Sequence, residues 1–264
     1  MNGAGNDFVI IDARKEFFDI SPEKCQEICN RKSGIGCDQL IIIDHSDEFD
    51  CVIKIYNSSG SIAESCGNAT RCVASILLSE NKSLQKVKIK SAANILEAWL
   101  ENDNMIAVKM GKIKFDWQNI PLSKNINTQG FDLLDNKIYC ANIGNPHAVI
   151  FLDHEVLDNQ LLTLGPQIEN HSLFPNKTNV EFAYIASDSQ IIARVWERGA
   201  GETRACGSGA CAIAAIAIKN KMINNNKVTI KYPGGDIIIE WSGDENDQIV
   251  MIGGYELEFK GYFP

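Results

Sequence analysis

The chain has 264 residues, 45% hydrophobic and 22% charged, with a formal net charge of -9. A length above the roughly 100 to 200 residues of a usual domain predicts two domains, and the lack of Pro-rich or Ser-rich tracts predicts order throughout. The acidic balance argues against a nucleic-acid groove. The longest uncharged apolar run, Ala205 to Ile218, falls short of the roughly 18 residues of a membrane span, and Met1 to Arg14 has no basic leader before an apolar core. The chain is therefore expected to be cytoplasmic, with neither a nucleic-acid nor a membrane partner.

Taken from the N-terminus, the chain introduces elements that it later repeats. Gly5-Asn6-Asp7-Phe8-Val9-Ile10 returns as Gly144-Asn145-Pro146-His147-Ala148-Val149, an offset of 139. Gln39 falls on Asn179 at an offset of 140, and at that offset Ile55-Tyr56-Asn57 falls on Val195-Trp196-Glu197. Ser65-Cys66-Gly67-Asn68 falls on Ala205-Cys206-Gly207-Ser208, again at 140, and Cys72-Val73-Ala74 lies one residue from register with Cys211-Ala212-Ile213. After each Cys-Gly pair the pattern turns helical, over Gly67 to Leu78 and over Gly207 to Ile218. The second helix is apolar on every side, so strands are expected to wrap it. Lys86 to Lys90 alternates as a strand does, with its lysines on a solvated face. The turn-rich stretch from Asp116 to Gly130 reads as a connection. Four anchors at nearly one offset predict two similar domains, 1–115 carrying Cys66 and 116–264 carrying Cys206. An approximate two-fold axis would bring the two Cys-Gly elements face to face.

Nine cysteines, an odd number, with no C-x-x-C pair and with the four histidines distant in sequence, point to thiols rather than a disulfide framework or a zinc site. Cys66 and Cys206 are expected at helix N-termini. Unpaired N–H groups and a partial positive charge there favour a thiolate, draw a thiol pKa from about 8.5 toward neutrality, and can hold a carboxylate. Cys72 and Cys211, at i+6 and i+5, point elsewhere and read as core. Cys25, Cys29, Cys37, Cys51 and Cys140 show no partner or motif.

These segments resemble the diaminopimelate epimerase family over essentially the whole chain. The resemblance runs through Asn2-Gly3-Ala4-Gly5-Asn6-Asp7-Phe8, Gly34-Ile35-Gly36-Cys37-Asp38-Gln39, Tyr56-Asn57, Cys66-Gly67-Asn68, Gly144-Asn145-Pro146-His147 and Thr178-Asn179-Val180. It is strongest at Glu197-Arg198-Gly199-Ala200-Gly201-Glu202-Thr203-Arg204-Ala205-Cys206-Gly207. It implies an α+β fold of two pseudo-symmetric domains, each a curved, mostly antiparallel sheet around a central buried helix. It implies interconversion of LL- and meso-diaminopimelate for lysine and peptidoglycan precursors, without pyridoxal phosphate, metal or other cofactor, by a homodimer.

By position, the resemblance makes Cys66 and Cys206 the base and acid, with His147 and Glu197 assisting the thiols. Gly67, Asn68, Gly207 and Ser208 would cradle the reacting carboxylate. Asn6, Gln39, Asn57, Asn145, Asn179, Glu197 and Arg198 would contact the ammonium groups and the distal carboxylate. The chemistry of Arg198 agrees, since a guanidinium fork binds a carboxylate bidentately, although an ion pair with Glu202 would also satisfy it. Asn2, Ala4, Ser65 and the pair Ala69-Thr70 depart from the family's common pattern without touching the expected acid, base or anchors. The rival readings are a two-cysteine racemase of the proline or hydroxyproline type, against which Arg198, Asn57 and Asn179 argue, and a non-catalytic binding or thiol redox protein.

Overall fold

The computed structural model describes residues 1–63, 66–92, 94–102 and 104–262; Ser65 of the first repeat lies outside them. The chain divides into two compact units, Met1–Lys109 with Ile252–Pro264, and Met110–Met251.

The first unit contains β1 (Asn2–Gly3), β2 (Asn6–Asp12), α1 (Pro22–Cys29), β3 (Gln39–Asp44), β4 (Cys51–Asn57) and β5 (Ile62–Ala63). α2 (Gly67–Glu80), β6 (Val87–Lys90), β7 (Ile95–Asn102) and β8 (Met105–Gly111) follow. Pairing is antiparallel except for β2 with β3 and β4 with β6. β3 reads as a continuous apolar run because both of its faces are covered. Leu40 and Ile42 pack with Ile28 and Cys29 of α1, and alternation turns Ile41 and Ile43 to the opposite face, where they are equally buried. α2 is buried along most of its length and packs on β1, β2, β6 and β7.

The second unit repeats this plan. It contains β9 (Gln129–Leu133), β10 (Asn136–Asn142), β11 (Pro146–Leu152), α3 (Asp158–Glu169), β12 (Asn179–Ser187) and β13 (Gln190–Glu197). β14 (Gly201–Thr203), α4 (Gly207–Lys219), β15 (Lys227–Tyr232), β16 (Gly235–Glu240) and β17 (Ile249–Gly254) complete the chain's elements. The register of its strands reproduces the sequence repeat. Phe8 faces Gln39 across a parallel pair in the first unit, and His147 faces Asn179 across a parallel pair in the second. Tyr56 faces Ile62, and Trp196 faces Glu202. Val87 faces Ala98, and Val228 faces Ile239. α4 is buried from Gly209 through Ala217 and packs on β10, β11, β12, β15 and β16, as its all-apolar surface requires.

Two features differ from the expected division at residue 115. The units part after Lys109, within β8, so the turn-rich connection belongs wholly to the second unit. The C-terminal segment from Ile252 groups with the first unit, where Asn2 and Glu256 exchange backbone hydrogen bonds of 2.8 Å and Arg71 Nε donates to Gly254 O at 3.4 Å. The short strand β1 has an open edge, and this returning backbone satisfies it.

Candidate active site

Each repeat delivers its cysteine in the same way. A short antiparallel strand, β5 or β14, ends just ahead of a helix, and the cysteine is the N-cap in extended conformation, at φ -149°, ψ 110° for Cys66 and φ -132°, ψ 116° for Cys206. Gly67 and Gly207 open the two helices.

In the first unit the strand ends bring Asn6 (start of β2), Gln39 (start of β3), Asn57 (end of β4) and the α2 N-terminus together. Asn68 Nδ2 donates to Asn6 Oδ1 at 2.6 Å. Gln39 Nε2 donates to Asn57 Oδ1 at 3.0 Å, and Asn57 Nδ2 donates to Ser61 Oγ at 3.0 Å. Asn68 is buried, and its Oδ1 has no hydrogen-bond partner among the described residues. Cys66 is half-buried.

The equivalent set in the second unit is denser. Asn145 Nδ2 donates to Ser208 Oγ at 3.2 Å, the counterpart of the Asn6–Asn68 contact. His147 is fully buried on β11, with Nδ1 2.6 Å from Glu181 Oε1 and Nε2 2.9 Å from Asn145 Oδ1. The side chain of Asn179 is committed at both ends: Nδ2 donates to Pro146 O and Oδ1 accepts from Arg198 N, each at 2.9 Å. It therefore holds the turn that carries Arg198. α3 holds the same turn from outside, because Glu169 accepts from Gly199 N and from Trp196 Nε1, both at 2.8 Å. Gly165 makes that approach possible, since a Cβ there would lie 2.7 Å from the Trp196 ring. Arg198 is exposed, and among the described residues its guanidinium makes a single long contact, 3.5 Å to Asn176 O. Glu202 does not hold it, being paired with Arg194 at 2.6 Å.

Around Cys206 the geometry corrects the expected acidity. Gly209 N donates to its Sγ at 3.3 Å and Ser208 Oγ lies 3.4 Å away, as a helix N-terminus should provide. Yet the thiol is pushed well above its ordinary range, first by burial, then by the carboxylates of Glu197 and Glu181. A helix terminus contributes about 0.3 to 1 kcal/mol, whereas burying an uncompensated charge costs several kcal/mol, so burial wins. Glu197 is hydrogen-bonded to Cys206 and to the Thr203 hydroxyl, and burial raises its carboxyl above the usual range. Thus the Cys206 thiol holds its proton more tightly than an exposed thiol, beside a Glu197 carboxyl that is itself a weaker acid, and so a stronger proton acceptor when ionised, than an exposed glutamate.

Glu181, Thr203, Gly209 and Tyr232 belong to this cluster, although sequence reasoning did not select them. Glu181 had a visible signal, a charge inside the apolar strand Asn179–Ser187. Gly209 leaves room for it: a Cβ there would lie 2.8 Å from Glu181 Oε1 and 3.2 Å from the Tyr232 hydroxyl. Cys72 and Cys211 are buried in the helices as expected. Cys25, Cys29 and Cys37 do find one another beneath β3, with sulfurs 3.9 Å apart for Cys25 and Cys29 and 3.4 Å apart for Cys29 and Cys37. Among the described residues no three His, Cys, Asp or Glu side chains form a metal-holding group.

The family model for diaminopimelate epimerase matches residues 1–115 and 139–258. The chain is 38% identical over 279 residues to a diaminopimelate epimerase of Caulobacter vibrioides (strain NA1000 / CB15N), covering 100% of this chain and 96% of that one. It is 40% identical over 262 residues to that of Pelagibacter ubique (strain HTCC1062), covering 96% and 93%. Among solved structures, the PhzF-family phenazine biosynthesis protein of Bacillus anthracis aligns with a TM-score of 0.66 at 16% identity, covering 96% of this chain and 92% of that one. A hydroxyproline epimerase of Agrobacterium vitis aligns with a TM-score of 0.64 at 12% identity, covering 97% and 89%; both likenesses concern the fold. With a family match over both repeats and relatives of this identity along the full chain, the protein belongs to the diaminopimelate epimerase family.

Proposed function

We propose that the chain is an isomerase that interconverts LL- and meso-diaminopimelate, with Cys66 and Cys206 as its acid and base. One observation carries the roles: each of two repeated scaffolds places a single cysteine at the N-cap of its central helix, whereas the other recurring pair, Cys72 and Cys211, lies buried inside the helices. Inversion at one carbon needs a base on one face and an acid on the other, and two equivalent elements supply two equivalent sulfurs. The reaction forms a poorly stabilised carbanion next to a carboxylate, so donors aimed at that carboxylate must carry much of the stabilisation. The helix N-terminal N–H groups at Gly67–Asn68 and Gly207–Ser208 suit that task.

In this reading Glu197, hydrogen-bonded to Cys206, takes the thiol proton when a thiolate is needed and returns it afterwards, and burial of Glu197 makes its carboxylate a stronger acceptor than an exposed one. Arg198 anchors the distal carboxylate, since its guanidinium is exposed and held by its backbone through Asn179. A racemase of the proline type has less support: its likenesses stand at 12 to 13% identity, against 38 to 40% for the diaminopimelate epimerases. The test is α-proton exchange and inversion by the purified protein, without added cofactor, against a panel containing diaminopimelate, proline and hydroxyproline. Turnover of diaminopimelate alone supports the reading, and turnover of a cyclic imino acid alone sinks it. We further propose a cytoplasmic homodimer, in keeping with the family resemblance and with the lack, among the described residues, of a helix long and apolar enough to cross a membrane. Sedimentation at micromolar concentration tests the dimer.

A further inference from the structure

We infer that Glu181 is a positioning residue which fixes the proton of His147 on Nδ1, and so makes Nε2 the one ring nitrogen that exchanges protons. His147 and Glu181 are both fully buried, and Nδ1 lies 2.6 Å from Oε1. An ionised carboxylate only accepts, so the proton in this contact belongs to the ring. The other carboxylate oxygen, Oε2, has no hydrogen-bond partner among the described residues, and the nearby Tyr232 hydroxyl is likewise unpartnered. The contact with His147 is therefore the hydrogen bond that the Glu181 carboxyl has among the described residues, and the free energy of leaving an ionised carboxyl there without a donor selects the Nδ1–H tautomer.

At the other end of the ring, Nε2 faces the Asn145 amide at 2.9 Å, and that amide continues to Ser208 on the α4 N-terminus. The Asn145 amide can meet Nε2 with either its oxygen or its nitrogen, and the contact to Glu181 requires Nδ1–H in both cases. Proton gain or loss by His147 therefore occurs at Nε2, on the side of Asn145 and Ser208. Gly209 protects the arrangement, because a side chain there would press on Glu181 Oε1 at 2.8 Å. In a buried His–carboxylate couple the acid orients the ring and selects its tautomer, and loss of such a partner lowers turnover by tenfold or more.

The consequence for catalysis rests on the proposed epimerase reading, in which His147 assists a thiol; the tautomer itself does not. The experiment uses the full-length protein with 15N-labelled histidine, the His147 resonances being those absent from His147→Asn. In the parent protein Nδ1 should carry a proton in every ring state. Glu181→Met removes the acceptor and should move His147 to the Nε2–H tautomer, with kcat lowered at least about tenfold and KM within about twofold. Glu181→Gln keeps an acceptor without the charge, and should retain the Nδ1–H form and recover part of kcat. Thermal melts of both variants separate loss of turnover from loss of fold. An Nε2–H ring in the parent protein, or an unaltered tautomer in Glu181→Met, would overturn the positioning role. A switched tautomer with parental kcat would leave the proton placement standing and remove His147 from the thiol chemistry.

Discussion

Asn68 Nδ2 donates to Asn6 Oδ1 at 2.6 Å, and this contact leaves the other end of the Asn68 amide, Oδ1, buried without a hydrogen-bond partner among the described residues. A bare buried acceptor costs about 1 to 3 kcal/mol, which a donor from the substrate would recover. An ammonium group is such a donor, so under the proposed epimerase reading the Asn68 side chain would meet the substrate's nitrogen while its backbone N–H remains for the carboxylate.

Asn68→Leu removes that acceptor and the penalty together. Its KM for diaminopimelate should rise at least about tenfold, equivalent to about 1.4 kcal/mol of binding. Its thermal midpoint should stay close to that of the parent, because the lost bond to half-buried Asn6 and the relieved acceptor offset each other. Steady-state kinetics beside a melting curve give both quantities, and an unchanged KM would take Asn68 out of contact with the substrate.

Arg198→Lys separates charge from shape. The guanidinium is exposed and has no ion-pair partner among the described residues, so the substitution disturbs little of the fold. Lysine retains the charge but not the two-pronged bond, so KM should rise about tenfold or more while kcat changes little. A fall in kcat at constant KM would assign Arg198 to the chemistry rather than to anchoring.

The repeat was readable because it is written in residues with narrow roles: Cys-Gly at the helix start, Asn at the strand start, and a 139- to 140-residue offset that the strand registers reproduce. The closing pairs of the site were not readable. His147 and Glu181 are 34 residues apart, and only the parallel pairing of β11 with β12 puts them side by side. The acidity of Cys206 was misjudged for a related reason. A helix N-terminus is visible in sequence, whereas the burial of the sulfur, and after it the two carboxylates converging on it, are properties of the packed sheet. Likewise Cys25 and Cys29 share a helical face that their spacing of four allows, but the arrival of Cys37 depends on the loop before β3.

Raised pKa values at Cys206 and Glu197 set the sign of a pH effect. Where the folded thiol titrates above the unfolded one, the unfolded chain loses its proton first, so the contribution of Cys206 to stability is intact below about pH 8.5 and declines above it. Glu197 acts in the same direction from about pH 4.3 upward, because its folded carboxyl is also raised. Unfolding by denaturant at pH 7 and pH 9.5 should therefore show lower stability at the higher pH, and Cys206→Ala should reduce the difference. An identical difference in the variant would mean that other groups carry it.

Glu197→Gln should uncouple thiol reactivity from turnover. After burial, the Glu197 carboxylate is the main group holding the Cys206 pKa up, so removing its charge makes the thiolate easier to form, and iodoacetamide should label Cys206 faster at a given pH. Turnover should nevertheless fall by about 100-fold, since glutamine cannot accept the Cys206 proton during the reaction. Peptide mass spectrometry reads the first effect and kinetics the second. Parallel changes in labelling and turnover would show that Glu197 acts only through the acidity of the sulfur.

Isotope placement discriminates two thiols from one polyprotic base. A thiol carries a single exchangeable hydrogen, so the sulfur that protonates the product face delivers a hydrogen taken from solvent, while the hydrogen removed from the substrate remains on the opposite sulfur. Starting from LL-diaminopimelate in heavy water at low conversion, the meso product should hold deuterium at the inverted carbon, and the recovered substrate should stay nearly unlabelled, given fast thiol exchange in the free enzyme. An ammonium base would scramble three hydrogens and either label both pools or return the original hydrogen to the product. Cys66→Ala and Cys206→Ala should each abolish inversion, because either substitution empties one face. Each single-cysteine protein should still exchange the α-hydrogen of the isomer whose hydrogen faces its remaining sulfur, and the two proteins should prefer opposite configurations at that carbon. Inversion by Cys66→Ala at a near-parental rate would show that Cys66 is not one of the two bases, whatever its place at the head of α2.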